Sequence, residues 1–251
     1  MKNVRSLIRG VLPASVSSAY GKKARDRDLL TKYGTRNLKT AYELSFWSSK
    51  FEQEGGTLYN SHYQHILMQM AEQDSTEFLA GKVVADFGCG PRGSLEWATA
   101  ARLRIGIDAL ADEYTRFGIH EHNMVYVCST ERWIPLPSSY VDVLFTLNAM
   151  DHVNDFRAMA LEVLRILAPG ALFVGSFNME EQPTEAEPQR LTEDMVNEHL
   201  LQNLNVLSIR RAPYGTMKDG GPYRFFDQNP IPQPEPGLPY FMWVKAQKFQ
   251  A

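Results

Sequence analysis

Asp86, Gly88, Gly90 and Gly93 fall within eight residues, in VVADFGCGPRG, and a second acid, Asp108, closes the stretch LRIGID. Glycines at this spacing let the main chain turn sharply and let a ligand lie against it without meeting a Cβ. The run Gly88-Cys89-Gly90-Pro91-Arg92-Gly93 formally matches a dinucleotide fingerprint, so spacing alone does not choose the ligand. Asp86 narrows the choice. A carboxylate two residues before the first glycine repels a diphosphate and attracts an ammonium. Asp108 stands at the end of the next apolar run, where a carboxylate accepts bonds from both hydroxyls of a ribose. A ligand with a cationic amino-acid end and a ribose end suits both acids. The plain alternative for Asp108 is an ordinary exposed acid at a strand end.

Such a loop has to be held between a strand and a helix. From Gly81 onward, short apolar runs rich in Val, Ile and Phe alternate with helical patterns. The runs are 82–87, 103–108, 124–129, 141–148 and 171–177. The near-continuous hydrophobicity of the last two suits strands covered on both faces, as in a parallel sheet. SLEWATAA, ADEYTRFG and DFRAMALEVLRILAPG fill the gaps as helices, the last with Asp155 at its start and Pro169-Gly170 at its end. Beyond them LTEDMVNEHLLQ reads as a helix opened by Thr192, and 205–214 and 240–249 read as two strands that pair antiparallel. The expectation is an α/β fold: a doubly wound, seven-stranded, mostly parallel sheet.

The first third is different. Leu38, Ala41, Leu44, Trp47 and Phe51 recur at the helical period within one helix from about Leu29, which Gly55-Gly56 stops. Ser61 is placed as the N-cap of a second helix, with His62, His65 and Gln69 on one face and Tyr63, Ile66, Leu67 and Met70 on the other. Residues 1–80 are therefore expected to form a basic arm and helical cap, and 81–251 the sheet domain. Residues 1–40 hold ten Lys or Arg against Asp26 and Asp28, a formal +8, so the whole-chain charge of −3 leaves −11 for the rest. A basic arm on an acidic body suits peripheral contact with an anionic membrane, or is simply a solvated terminus. No apolar run is long enough to span a bilayer, no secretory pattern opens the chain, and the only cysteines are Cys89 and Cys128. These features point to the cytoplasm and give no support to a disulfide framework or a structural metal site.

The combination resembles the class I, Rossmann-like S-adenosylmethionine-dependent methyltransferases. VVADFGCGPRG is similar to their first motif, GIDAL to the acidic end of their second strand, YVDVLFTLNAMDHV to their fourth strand and its loop, and ALEVLRILAPGALFV to their helix-to-strand passage, with Ala171 replacing a glycine. The resemblance covers about residues 81–178. It implies S-adenosylmethionine as cofactor, its methionine end against Asp86, Phe87, Gly88, Cys89 and Gly90, with Cys89 filling space rather than reacting. It implies the ribose on Asp108, the adenine beside Ala109 and Leu110, and Asn148 where the fourth-strand loop passes the cofactor. The family's adenine-contacting acid falls near Thr130 and Glu131, displaced by about one position, and either residue is a candidate.

Transfer to a hydroxyl requires removal of its proton, for which histidine is the natural base. His152 leads by position; packing and loop shape are its plain alternative. His62 and His65 follow, if the helical cap covers the site, and Asp151 is a candidate for orienting a base or a hydroxyl. Tyr214, Tyr223, Arg224, Phe225 and Phe226 suit a pocket for a polar ring or equally a covering loop. The expected acceptor is a sugar or glycan hydroxyl, GPRGSLEW being similar to methyltransferases of surface-glycan biosynthesis. An amine, quinol or phenol acceptor is the alternative, and so is a catalytically inactive cofactor-binding module. Nucleic acid is not expected, since the body is acidic and NAMD replaces the N/D-P-P-Y/F element. A dinucleotide oxidoreductase is the remaining rival, separated by whether NAD or S-adenosylmethionine stabilises the fold.

Overall fold

The computed structural model describes residues 14–215, 222–226, 228 and 230–250. The beginning of the basic arm, with Lys2, Arg5 and Arg9, lies outside them. Two compact units result, one ending at Lys50 and one running from Phe51. The first unit carries helix α1 (Ala14–Tyr33) and most of α2 (Leu38–Gln53). The single helix expected from Leu29 is thus two. Gly34 adopts φ +64°, and the Asn37 side chain accepts a bond from Thr40 N–H to restart the helix. No described helix is long and apolar enough to cross a membrane.

The second unit is built on seven strands: β1 (Val83–Phe87), β2 (Leu103–Asp108), β3 (Val125–Cys128), β4 (Val141–Leu147), β5 (Leu167–Met179), β6 (Leu204–Pro213) and β7 (Tyr240–Lys248). Their order is β3-β2-β1-β4-β5-β7-β6, with β7 antiparallel to both of its neighbours and the other pairs parallel. This is the expected doubly wound sheet. All five residues of β1 are buried, which is why its sequence runs VVADF rather than alternating. The sheet separates two cores. Val83, Ala85, Phe87, Met242 and Val244 face one, with α4 (Phe156–Ile166) packed over it. Val84, Val143, Phe145, Phe241 and Trp243 face the other, with α3 (His62–Ala71).

The expected caps hold at two helices. Asp155 accepts from Ala158 N–H at 3.0 Å, and Thr192 from Met195 N–H at 3.2 Å to open α5 (Glu193–His199). Ser61 is not a cap: it is already helical (φ −59°, ψ −21°) and its side chain makes no capping bond. The outward histidines of α3 and its buried Tyr63, Ile66, Leu67 and Met70 sit on the faces their spacing predicts.

Three expected elements take another form. SLEWATAA is a series of turns, because its side chains and neighbours capture the carbonyls a helix would use. The Trp97 indole donates to Ser94 O, Arg104 donates to Glu96 O, and Ala98 N–H turns back to Leu95 O. ADEYTRFG shortens to a 3₁₀ segment, Glu113–Phe117, ended by Gly118 at φ +84°. Pro169-Gly170 does not end α4. The helix stops at Ile166, Leu167 is already extended, and Pro169 and Gly170 (φ +75°) lie inside β5 where its register against β4 slips.

Candidate cofactor and acceptor site

The sheet order reverses between β1 and β4, and the loops leaving these strands meet there. Gly88 turns out of β1 with φ +74°, its N–H donating to Ile107 O at 2.8 Å. A Cβ on Gly88 would stand 2.1 Å from the Cβ of Ala149, so glycine is required twice over, by conformation and by space. Asp108 holds the loop in place. Its Oδ2 accepts from Gly90 N–H at 3.0 Å and its Oδ1 from Leu110 N–H at 2.9 Å. Cys89 is 2% exposed, its sulfur lies over Gly106 of β2, and burial pushes its thiol pKa far up, so it fills space and is not a nucleophile.

Asp86 is 1% exposed. Ser94 Oγ donates to its Oδ2 in a short bond, while its Oδ1 is buried without a partner. Burial pushes the Asp86 carboxyl up to about 7, against the Ser94 bond and with a further push from Asp108. The hydroxyls of Tyr63 and Tyr223 both feel the Asp86 charge, which adds to their upward shifts from burial. Over the same loop Arg92 makes a fork to Glu54, with nitrogen–oxygen distances of 2.8 and 2.5 Å, and donates to Tyr59 O. Sequence spacing does not single out Ser94, Tyr63 or Glu54 for this site, and it offers Tyr223 only for an acceptor pocket or covering loop; of the three, only Ser94 is close to the glycine loop in the chain.

Of the residues expected to flank the adenine, Ala109 is exposed and Leu110 half-buried. Thr130 and Glu131 are both exposed. Thr130 closes a turn with Trp133 O, and Glu131 accepts a short bond from Asn154 beside a cavity of about 270 Å³. Asn148 has φ +48°, and its Oδ1 accepts from Ser176 Oγ at 2.5 Å, which fixes the loop after β4.

That loop carries Asp151 and His152. The segment after β5, acidic in sequence, returns Glu181 and Glu187 to the same place. His152 Nε2 is 3.4 Å from Glu187 Oε1. Asp151 is 3% exposed, no neighbouring residue donates to either oxygen, and burial raises its carboxyl to about 6, with Glu187 and Glu181 adding and His152 opposing. Glu181 is raised by burial and bonded to Tyr214 and Asn178. His62 stands apart: partial burial and then Arg92 draw its pKa down, and its third influence is Glu54. His65 is exposed on α3. Phe225 and Phe226 are core residues, Phe226 4.7 Å from Trp243 between ring centroids, while Tyr214 stacks on Phe241 and Arg224 lies over Phe225.

Residues 85–175 match the family profile described as a methyltransferase domain. A protein of Mycobacteroides abscessus named "Uncharacterized methyltransferase" is 26% identical over 176 residues, covering 66% of each chain, just under two thirds of the relative's length. Among solved structures, an S-adenosylmethionine-dependent methyltransferase of Mesorhizobium loti superposes with TM-score 0.52 at 16% identity, over 68% of this chain and 92% of that one. The [4+2]-cyclase SpnF superposes equally well (TM-score 0.52, 16% identity, 74% and 81% coverage), so the fold itself does not select the reaction. The residues present fit S-adenosylmethionine. Asp86 Oδ1 is a buried acceptor without a donor, the Gly88 turn is closed to any side chain, and Asp108 closes β2 beside that turn. Glycine loop and sheet order accord with the profile match: residues 85–175 are similar to a methyltransferase domain, and the fold is that of S-adenosylmethionine-dependent methyltransferases.

Proposed function

We propose that the chain transfers a methyl group to a hydroxyl oxygen of a sugar or glycan, the acceptor's proton passing to His152. The observation that carries this reading is the polar group at the mouth of the β4 and β5 loops, where His152 Nε2 lies 3.4 Å from Glu187 Oε1 beside the buried carboxylate of Asp151. When bound, S-adenosylmethionine supplies a methyl group made electrophilic by its sulfonium. Asp86 receives the ammonium at its unpartnered oxygen, and Asp108 receives the ribose hydroxyls while continuing to clamp the glycine loop. Asn148 keeps the β4 loop against that site through Ser176, and Glu187 orients the imidazole.

Transfer to an amine nitrogen is the second reading. It is favoured by the excess of carboxylate at the acceptor end, where Asp151, Glu181 and Glu187 face one imidazole. A panel of sugar, glycan, phenol and amine acceptors, followed by methyl label from S-adenosylmethionine, separates the two. The hydroxyl reading expects label on sugar oxygen and its loss in His152→Ala with cofactor binding retained. Label on amines alone would overturn it. No turnover on any acceptor, with cofactor binding intact, would favour an inactive binding module. For the basic arm we propose contact with an anionic membrane surface, supported by the exposed Lys23, Arg25 and Arg27 of α1. Sedimentation with phosphatidylserine vesicles that salt abolishes is the expected result, and no binding at low salt would remove the idea.

A further inference from the structure

We infer that Asp151, His152 and Glu187 form a binding site for one divalent transition cation at the acceptor end of the sheet. One donor atom from each of the three residues lies within 4.8 Å of the other two. Two donors each about 2.1 Å from a common ion are about 3.4 Å apart at the tetrahedral angle. His152 Nε2 and Glu187 Oε1 are separated by 3.4 Å.

Geometry alone would leave an ordinary acidic cluster. The second observation is Asp151. It is 3% exposed, its donor oxygen is among those drawn within 4.8 Å, and no neighbouring residue donates a hydrogen bond to either oxygen. A buried carboxylate without donors is costly unless a cation compensates it. The charged groups acting on it are His152, Glu187 and Glu181, and none is Lys or Arg. Glu181 also keeps a buried oxygen, Oε2, without a partner beside the group. The cluster thus sets three carboxyl groups against a single imidazole.

The donor set decides the class of ion. One imidazole with two carboxylates suits Zn²⁺ or Mn²⁺ better than Ca²⁺ or Mg²⁺, which prefer oxygen alone. Three protein ligands leave a fourth position for water or an acceptor oxygen. The inference rests on the proposed reading of this group as the acceptor end, and it changes the role of His152 there. With the ion bound, Nε2 is a ligand, and a hydroxyl at the fourth position gives up its proton to water because the ion acidifies it.

The test uses the full chain, stripped with chelator, dialysed, and titrated with Zn²⁺ by calorimetry and with Mn²⁺ by loss of the free-ion spin resonance signal. One equivalent per chain is expected, weakened at least tenfold in Asp151→Asn and in Glu187→Gln. Glu187 is about one-third exposed, so its variant keeps the fold even if the Asp151 variant does not. S-Adenosylhomocysteine should still stabilise Glu187→Gln. Absence of a stoichiometric site, or equal affinity in wild type and Glu187→Gln, would overturn the cation site and leave the imidazole as base. A cation site without stabilisation by S-adenosylhomocysteine would retain this inference and remove the methyl-transfer reading instead.

Discussion

The two halves of the site are finished to different degrees. At the β1–β2 end, main-chain groups are tied down by one carboxylate: Gly90 and Leu110 both donate to Asp108, and Gly88 donates to Ile107 O. One acceptor, Asp86 Oδ1, is left over. At the β4–β5 end the left-over atoms accumulate, with both Asp151 oxygens, Glu181 Oε2 and Asn178 Oδ1 buried without partners. A socket for a ligand of fixed structure is preorganised through the backbone, where geometry is stiff. A place for a group that arrives later keeps its polar atoms in reserve, at a cost in stability.

Gly88→Ala should break the stiff half most severely. It forces φ +74° on a residue with a Cβ and drives that Cβ to 2.1 Å from Ala149. Strain and overpacking together predict a loss of about 3 kcal/mol or more in denaturant unfolding, with cofactor binding abolished. A variant as stable as wild type would mean that the loops are not in contact.

Asp86→Asn sharpens the comparison through pH. The folded carboxyl titrates at about 7 against an ordinary value of 3.8. The folded state therefore binds more protons between about pH 4 and 7, and stability from this group is lost as pH rises through that window. Asparagine still accepts from Ser94 but does not ionise. The variant should exceed wild type at pH 8 by on the order of a few kcal/mol, match it near pH 4, and bind the cofactor more weakly. Parallel pH profiles for the two proteins would contradict the assignment.

Smaller effects follow outward from the socket. Arg92→Lys replaces the fork to Glu54 with a single donor on a mostly buried pair, and should cost about 1 kcal/mol by thermal unfolding. Glu187→Gln removes a charge from the unsatisfied half and should move the unfolding midpoint least, by less than about 0.5 kcal/mol. A larger loss there would show that the acceptor end is also a structural element.

The same contrast explains what the sequence reveals. The glycine loop, Asp108, the strands themselves and the final two-strand pair are legible because each is a local pattern of residue type and period. SLEWATAA was not, since its helical period is overridden by Arg104 and Trp97 taking its carbonyls. Pro169-Gly170 reads as a helix stop but is a register slip within β5, a fact of strand pairing rather than of local propensity. At the acceptor end, His152 and Asp151 stand out beside the fourth strand, whereas Glu187 lies 35 residues further on and joins them only through the fold. The acidic composition after the fifth strand was the available signal, and composition does not say which carboxylate turns inward.

The most direct test of the account is thermal unfolding of wild type and Asp108→Ala with S-adenosylmethionine, S-adenosylhomocysteine and NAD. A ligand that binds only the folded state raises the midpoint. Both adenosyl ligands should raise it, NAD should not, and Asp108→Ala should lose the rise. A rise with NAD alone, or one with the adenosyl ligands that survives in Asp108→Ala, would contradict the site built on the glycine loop and Asp108.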